Sequence, residues 1–464
     1  MDKNPGFIQR QLMKIDLGIF YFVMSTLRAA VIIADIFLDL LFGHTIQYGT
    51  RDERQRAEDY EHSAQVVNIM GRGAYSLIIN HQLYNFVWRH EKYVHPRYIL
   101  EHDNITLMGI TPTHAFFCVS DPGFDIYETK MAPFIFIIQF FSAKKLIILP
   151  HSSFNRLAAE VGDPTNCKVT FVNMTARCGS TLLGQMIART PKVLVMSEPW
   201  ALVHMHGHYI SKNISMAEYR RVLRSVVRLQ CKREHGRDIE HIFIKTTMYM
   251  SPAFPMLKDM FPKAKFIFNT RGFQKTIESM MQVVKFQPLI ALHTGTLFRF
   301  WWRHVQIPYD DPFFYDLHKE WKTRYAPDEV RLAFGFACQI SQFMRSRDDY
   351  DLVVFYEDII SNKEEVCKKL LEVCDIPMEY VSEALNAFKS DSQLGTFGKR
   401  GEKPKVHPAI LDQADKVFSE CGLPPMSQMS AIEFKNLVVT GSYTRRSEFN
   451  LPSKGYDKMG FIPK

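Results

Sequence analysis

The stretch from Lys168 to Thr190 constrains this chain more than any other. An apolar, β-branched run, KVTFVN, gives way to Met174-Thr175-Ala176-Arg177-Cys178-Gly179-Ser180-Thr181 and then to an apolar helical pattern. A strand, a turn and a helix in that order gather backbone amides, two hydroxyls and the positive end of a helix dipole around one point, which suits an anion. Gly179 removes the side chain that would hold an anion off the backbone. Arg177 adds a charge-assisted donor. A strand–turn–helix with a capping Ser or Thr also occurs without a ligand, so the loop by itself leaves that alternative open. A Walker A loop needs Gly five residues before Gly179 and Lys after it, where this chain has Met174 and Ser180. An ordinary magnesium-dependent P-loop kinase or NTPase is thereby disfavoured.

Beyond the loop, strand and helix patterns alternate, the signature of a parallel sheet with crossover helices. Strands are expected at Lys168 to Asn173, Val193 to Met196, Ile242 to Thr246, Lys265 to Asn269 and Leu352 to Tyr356. Helices are expected at Thr181 to Arg189, Met216 to Arg233, Gln274 to Val284, Asp328 to Arg347 and Glu364 to Cys374. In open parallel sheets ligands bind at the carboxyl ends of the strands, so the residues just after each strand are the candidates for chemistry. Ahead of this domain, Gln65 to Glu91 reads as helical, Asn104 to Ser120 as a hairpin, Ala132 to Phe141 as a short buried helix and Lys145 to Pro150 as a strand. The expected architecture is α/β, a parallel sheet flanked by helices with a P-loop-like loop, preceded by a small α+β module and an N-terminal apolar helix. The boundaries are 1–50 for the apolar helix, 51–160 for the accessory module, 161–425 for the nucleotide-binding domain and 426–464 for a C-terminal extension.

Leu17 to Gly43 is a nearly continuous apolar helix preceded by Lys3, Arg10 and Lys14, as at a membrane. Arg28, Asp35 and Asp39 interrupt it on one face with Ser25. It is therefore an apolar helix with a narrow polar stripe, which can lie on a membrane, span one against a partner, or bury itself in the protein. The chain has 57 basic and 49 acidic residues among 464, a balance of +8. That is too mild and dispersed for a nucleic-acid partner and adequate for a polyanionic small molecule. Eight scattered cysteines with no CxxC pair imply neither zinc nor a disulfide framework.

Residues Arg177 to Leu182, with Cys178, Gly179, Ser180 and Thr181 between them, resemble the phosphosulfate loop of the sulfotransferase family, nearer its carbohydrate-type and bacterial members than its cytosolic ones. A second resemblance is Arg271 followed eight positions later by Ser279 in FNTRGFQKTIESM. The family uses such a pair for the 3′-phosphate of 3′-phosphoadenosine 5′-phosphosulfate (PAPS). A third is VVFYEDII, which implies Tyr356 beside adenine, with Glu357 and Asp358 capping or bracing the next turn. A fourth, Phe397 to Gly401, is similar to the family's basic glycine loop and implies Lys399, Arg400 and Gly401 at the same phosphate. These matches run in the family's order over residues 168 to about 405.

The resemblance implies a PAPS-dependent transferase that moves a sulfuryl group to an acceptor hydroxyl or amine, carbohydrate being one candidate acceptor, with no metal required. Lys245, ending the strand HIFIK, matches a family Lys near the transferred group. Where cytosolic members place a His two residues later, this chain has Thr247. Instead VLVMSEPW puts Glu198 directly after the second strand, similar to the Glu-Pro of carbohydrate-type and bacterial members, and Glu198 is the expected general base; a structural carboxylate paired with Arg177 or another cation is the alternative. His204, His206 and His208 would share a face in extended chain; with no carboxylate or Cys close in sequence, metal binding is the lesser reading and a substitute base the other. An aromatic segment from Phe298 to Trp321 is placed to form a lid or an acceptor pocket, with about half of its rings expected in the core. The competing reading outside enzymes is a membrane-associated protein that binds nucleotide without catalysis. The Glu-Pro also gives a lean towards a Golgi membrane location, where Asn104 and Asn213 would be glycosylation acceptors and Asn173, at the loop, would be inaccessible.

Overall fold

The computed structural model describes residues 59–73, 81–128, 132–210, 215–232, 238–286, 328–390 and 405–420, with 423 and 425, and near the N-terminus 19, 22–31, 33, 34 and 37. In chain order the elements used below are β1 (Ala64–Arg72), β2 (Phe86–Val94), β3 (Ile105–Ile110), β4 (His114–Val119), α1 (Ile135–Ser142), β5 (Lys145–Pro150) and α2 (His151–Val161). They continue as β6 (Lys168–Met174), α3 (Ser180–Ile187), β7 (Val193–Ser197), α4 (Trp200–Ile210), α5 (Met216–Gln230), β8 (His241–Lys245), α6 (Phe254–Met260), β9 (Lys265–Thr270) and α7 (Phe273–Phe286). The rest are α8 (Asp328–Arg345), β10 (Leu352–Phe355), α9 (Tyr356–Ser361), α10 (Lys363–Val373), α11 (Val381–Leu385) and α12 (Pro408–Glu420).

The chain divides into two compact units, residues 1–128, 134–164 and 199–237 in one, and 129–133, 165–198 and 238–464 in the other. The first unit holds an antiparallel sheet in the order β2-β1-β5-β4-β3. The hairpin, the short helix and the strand at Lys145 stand where the sequence puts them. The helix expected over Gln65 to Glu91 is not what the described residues of that stretch form: they supply β1 and the start of β2. Register shifts between Val66 and Val67 and between Ile69 and Gly71 break the two-residue alternation that marks a strand, so the sequence pattern misleads. Arg72 then donates to the carbonyls of Phe140, Phe141 and Ala143 and satisfies the open end of α1.

Residues 199–237, expected within the nucleotide-binding domain, belong to this first unit and carry α4 and α5. His204 Nδ1 accepts from the Ile110 amide at 3.1 Å, and His206 Nδ1 meets the Tyr219 hydroxyl at 3.1 Å. Because α4 is a helix rather than extended chain, these histidines do not share a face, since residues two apart lie about 200° round the axis. Burial pulls the His206 imidazole down to about 3, and both residues serve the unit's interior.

The second unit is the expected parallel sheet, β10-β9-β6-β8-β7. Its central strands are buried on both faces, which is why KVTFVNM, HIFIK and KFIFNT read as continuous apolar runs. Leu183, Met186, Val195, Val354, Leu370 and Leu371 fill one side; Phe268, Phe273, Phe334, Phe343, Phe355 and Phe418 fill the other. The chain leaves β6 for β7 and β8 on one side and then crosses to β9 and β10 on the other, so a topological switch falls at β6. Such a switch opens a crevice at the carboxyl edge.

Among the described residues no helix is long and apolar enough to cross a membrane. Residues 22–31 are helical. Half-buried Met24, Arg28 and Val31 share one face, with the Arg28 guanidinium 4.4 Å from the Trp88 ring, while Ile19, Phe22, Val23, Leu27, Ile33 and Phe37 are exposed.

Candidate functional site

Four of the five strands of the parallel sheet deliver a side chain or loop to the same edge: β6 the turn 175–179, β7 Glu198, β9 Arg271 and β10 Tyr356; β8 ends in Lys245 itself. The turn after β6 is fastened from behind. The Thr175 amide donates to the Asn269 carbonyl at 3.0 Å, and the Cys178 thiol donates to Asn269 Oδ1 at 2.7 Å. Burial pushes that thiol up to about 11, so Cys178 acts as a neutral tether. Asn269 Nδ2 completes the tie to the Val354 carbonyl at 3.2 Å.

Arg177 and Gly179 both adopt positive φ, 59° and 81°. The first is unusual for a residue with a side chain and turns it out of the loop. Gly179 is required twice, for its φ and because a Cβ there would lie 2.5 Å from Cδ2 of Tyr356. The α3 helix starts at Ser180, and Ser180 and Thr181 are buried in its first turn. Leu182 sends its side chain into the core, so only its backbone amide faces the loop side.

Arg177 Nε donates to Ser279 Oγ at 3.0 Å, and Arg271 Nη1 approaches the Arg177 carbonyl at 3.4 Å. Arg271 after β9 and Ser279 on α7 therefore both meet the loop. Burial, and then the neighbouring Arg271 charge, pull the Arg177 guanidinium below its ordinary value. Two guanidiniums gathered in a largely buried place oppose each other unless an anion joins them.

Lys245 is fully buried. Its Nζ donates to Glu198 Oε1 at 2.8 Å, Ser197 Oγ at 3.2 Å and Thr181 Oγ1 at 3.4 Å. Glu198 is held at both ends, since its amide also donates to the Lys245 carbonyl at 2.7 Å, and its φ of 57° is a strained conformation for this residue type. The carboxylate retains some exposure, 16%. The alternative of a paired carboxylate thus holds in part, with Lys245 as partner rather than Arg177. Thr247, standing where a His was sought, accepts from the Tyr249 amide at 3.3 Å and caps the short helix that follows. Burial and the Glu198 charge push the Tyr249 phenol upward.

The sequence reading missed two contributors. Tyr249 beside Glu198 had no motif to announce it. Glu357, expected to cap or brace the following turn, accepts from the Gly272 amide at 3.1 Å, next to Arg271. Tyr356 begins α9 rather than ending β10, with its ring under the Arg271 guanidinium, 4.2 Å from centroid to Cζ. Asn173 is buried and uses both amide atoms, Nδ2 to the Tyr350 hydroxyl at 2.6 Å and Oδ1 from Ser251 at 2.9 Å. Lys399, Arg400, Gly401 and the aromatic segment Phe298 to Trp321 lie outside the described residues. No cluster of His, Cys, Asp and Glu able to hold a metal occurs among the described residues.

Residues 170–380 match the sequence profile of the sulfotransferase family. No curated protein sequence matches the chain. Solved structures similar to it include a sulfotransferase from Mycobacterium tuberculosis H37Rv, at 13% identity and a TM-score of 0.35, covering 58% of this chain and 82% of that one. Another, from Alicyclobacillus acidocaldarius, shows 12% identity and a TM-score of 0.31, with 60% and 100% covered. A third, from Mycobacterium avium, shows 12% identity and a TM-score of 0.33, with 58% and 79% covered.

Proposed function

We propose, from the match of residues 170–380 to the sulfotransferase family, that the protein moves a sulfuryl group from PAPS to an acceptor hydroxyl or amine, a carbohydrate hydroxyl being one candidate. The observation that carries the reading is the meeting of Arg177, Ser279 and Arg271 beside the loop after β6. An ATP-using loop requires one phosphate cradle; a nucleotide phosphorylated at both ends of its ribose requires two, and this edge offers a second set of donors next to the first.

In the reaction the acceptor oxygen or nitrogen attacks sulfur as the bond from sulfur to the 5′-phosphate oxygen breaks, in line. The products are the sulfated acceptor and 3′-phosphoadenosine 5′-phosphate (PAP), and the acceptor proton passes to a base. The loop amides, Ser180 and the α3 dipole serve the leaving phosphate. Lys245, bonded to Thr181 of α3 on one side and Glu198 on the other, stabilises the charge on the sulfuryl oxygens. Glu198, partly exposed and fixed by Lys245, takes the proton. No metal enters these steps.

The N-terminal helix supplies the second part of the proposal, a lipid surface as partner. The face carrying Arg28 is turned to Trp88, and the opposite face exposes Ile19, Phe22, Val23, Ile33 and Phe37, an arrangement suited to lying on a bilayer rather than spanning it. The nucleotide reading is tested by titrating the full chain with PAP and with ATP plus magnesium. PAP is expected to bind at least about a hundredfold more tightly, a difference of about 2.7 kcal/mol. Tighter binding of ATP with magnesium would point to a kinase or NTPase instead.

A further inference from the structure

Arg271 and Gly272 follow β9, and Tyr356 and Glu357 follow β10. The two strands are parallel neighbours with Phe355 opposite Thr270, so these dipeptides leave the sheet side by side. The second grips the first at two points. Tyr356 puts its ring 4.2 Å from the Arg271 guanidinium carbon, and Glu357 Oε1 accepts from the Gly272 amide at 3.1 Å. The phosphate loop holds the ring from another side, since Gly179 leaves room for Cδ2 and Cε2 of Tyr356 that no Cβ would allow. By contrast, among the described residues the hydrogen bonding of Arg271 is a long 3.4 Å contact to the Arg177 carbonyl, and its buried Nε has no partner there.

The two contacts restrict different freedoms. A carboxylate on the Gly272 amide fixes the chain from which the Arg271 side chain starts, and an aromatic face fixes the plane of the guanidinium at its far end. A cation already in place binds an anion without the cost of ordering a long side chain. The same contacts occupy the Tyr356 ring, one face against Arg271 and one edge against Gly179.

We infer that Tyr356 and Glu357 are positioning residues for Arg271 and, through it, set the requirement for a 3′-phosphate on the nucleotide. Tyr356 thus acts at the phosphate end of the ligand rather than as a platform for adenine. This rests on the PAPS reading above, and it extends that reading to residues that touch no phosphate.

The test compares PAP with AMP, which lacks only the 3′-phosphate, by titration of the full chain. Wild type is expected to prefer PAP strongly. Tyr356→Leu and Glu357→Ala should each weaken PAP about tenfold while changing AMP less than about twofold. Tyr356→Phe keeps the ring and should keep PAP affinity; Glu357→Gln keeps the acceptor oxygen and should do the same. Equal losses for PAP and AMP in a folded Tyr356→Leu would assign the ring to adenine and overturn the inference, as would undiminished PAP binding. If Tyr356→Leu does not fold, Glu357→Ala alone decides by the same criterion. A wild-type chain that binds PAP no better than AMP would instead overturn the PAPS reading itself.

Discussion

Lys245 Nζ lies 2.8 Å from Glu198 Oε1, and the Glu198 amide donates back to the Lys245 carbonyl at 2.7 Å, so carboxylate and cation form one rigid unit across the ends of β7 and β8. Replacing the carboxylate by an amide keeps an acceptor for Lys245 while removing the proton sink. Glu198→Gln is expected to bind PAP as wild type does and to transfer sulfuryl groups about two to four orders of magnitude more slowly. Single-turnover transfer assays measure this, and a wild-type rate would remove Glu198 from the role of base.

Gly179 carries a second prediction. A Cβ there would meet the Tyr356 ring at 2.5 Å, and its φ of 81° is unfavourable for any side chain. Gly179→Ala should cost about 1–3 kcal/mol of stability and, on the proposed PAPS reading, weaken PAP and AMP together, because both would present the 5′-phosphate to this loop. Thermal unfolding and titration read the two effects separately.

Asp163 in the first unit accepts from Arg224 Nε at 3.0 Å and Arg228 Nε at 2.7 Å. The hydrogen bond from Arg224 is the largest cause, and the pair pulls the Asp163 carboxyl from the ordinary 3.8 to about 2. A carboxyl depressed on folding stabilises the native state above its unfolded value, and that stability is lost as pH falls from about 4 to about 2. Asp163→Asn should therefore unfold at a lower temperature at neutral pH, by a small margin because the pair is partly exposed. The two proteins should converge near pH 2. A constant gap across that window would show that the ion pair is not its cause.

The helix near the N-terminus is tested with phosphatidylcholine vesicles, with and without phosphatidylserine. The full chain should float with the vesicles, and Phe22→Glu with Phe37→Glu should stay at the bottom of the gradient while retaining PAP binding. Flotation unaffected by both changes would detach this face from lipid.

The parallel sheet was legible because its strands are covered on both faces: KVTFVNM, HIFIK and KFIFNT leave no room for another period. The same topology made part of the edge legible, since the turn 175–179, Glu198, Arg271 and Tyr356 each stand directly after a strand. Sequence order gives position along the edge but not the partner, so it could not show that Glu198 reaches Lys245, that Arg177 reaches Ser279, or that Glu357 reaches the Gly272 amide. The first unit was harder to read. Bulges in β1 disguised two strands as a helix, and α4 and α5 join a sheet formed far upstream of them.

The most direct measurement of the central claim is a transfer assay with radiolabelled PAPS, the full chain and a panel of saccharide, phenol, lipid and peptide acceptors. The account predicts that label moves to at least one class with PAP released in equal amount, and that Arg271→Ala loses this at low PAPS. Label remaining on PAPS across the panel, with ATP turned over in its place, would contradict it.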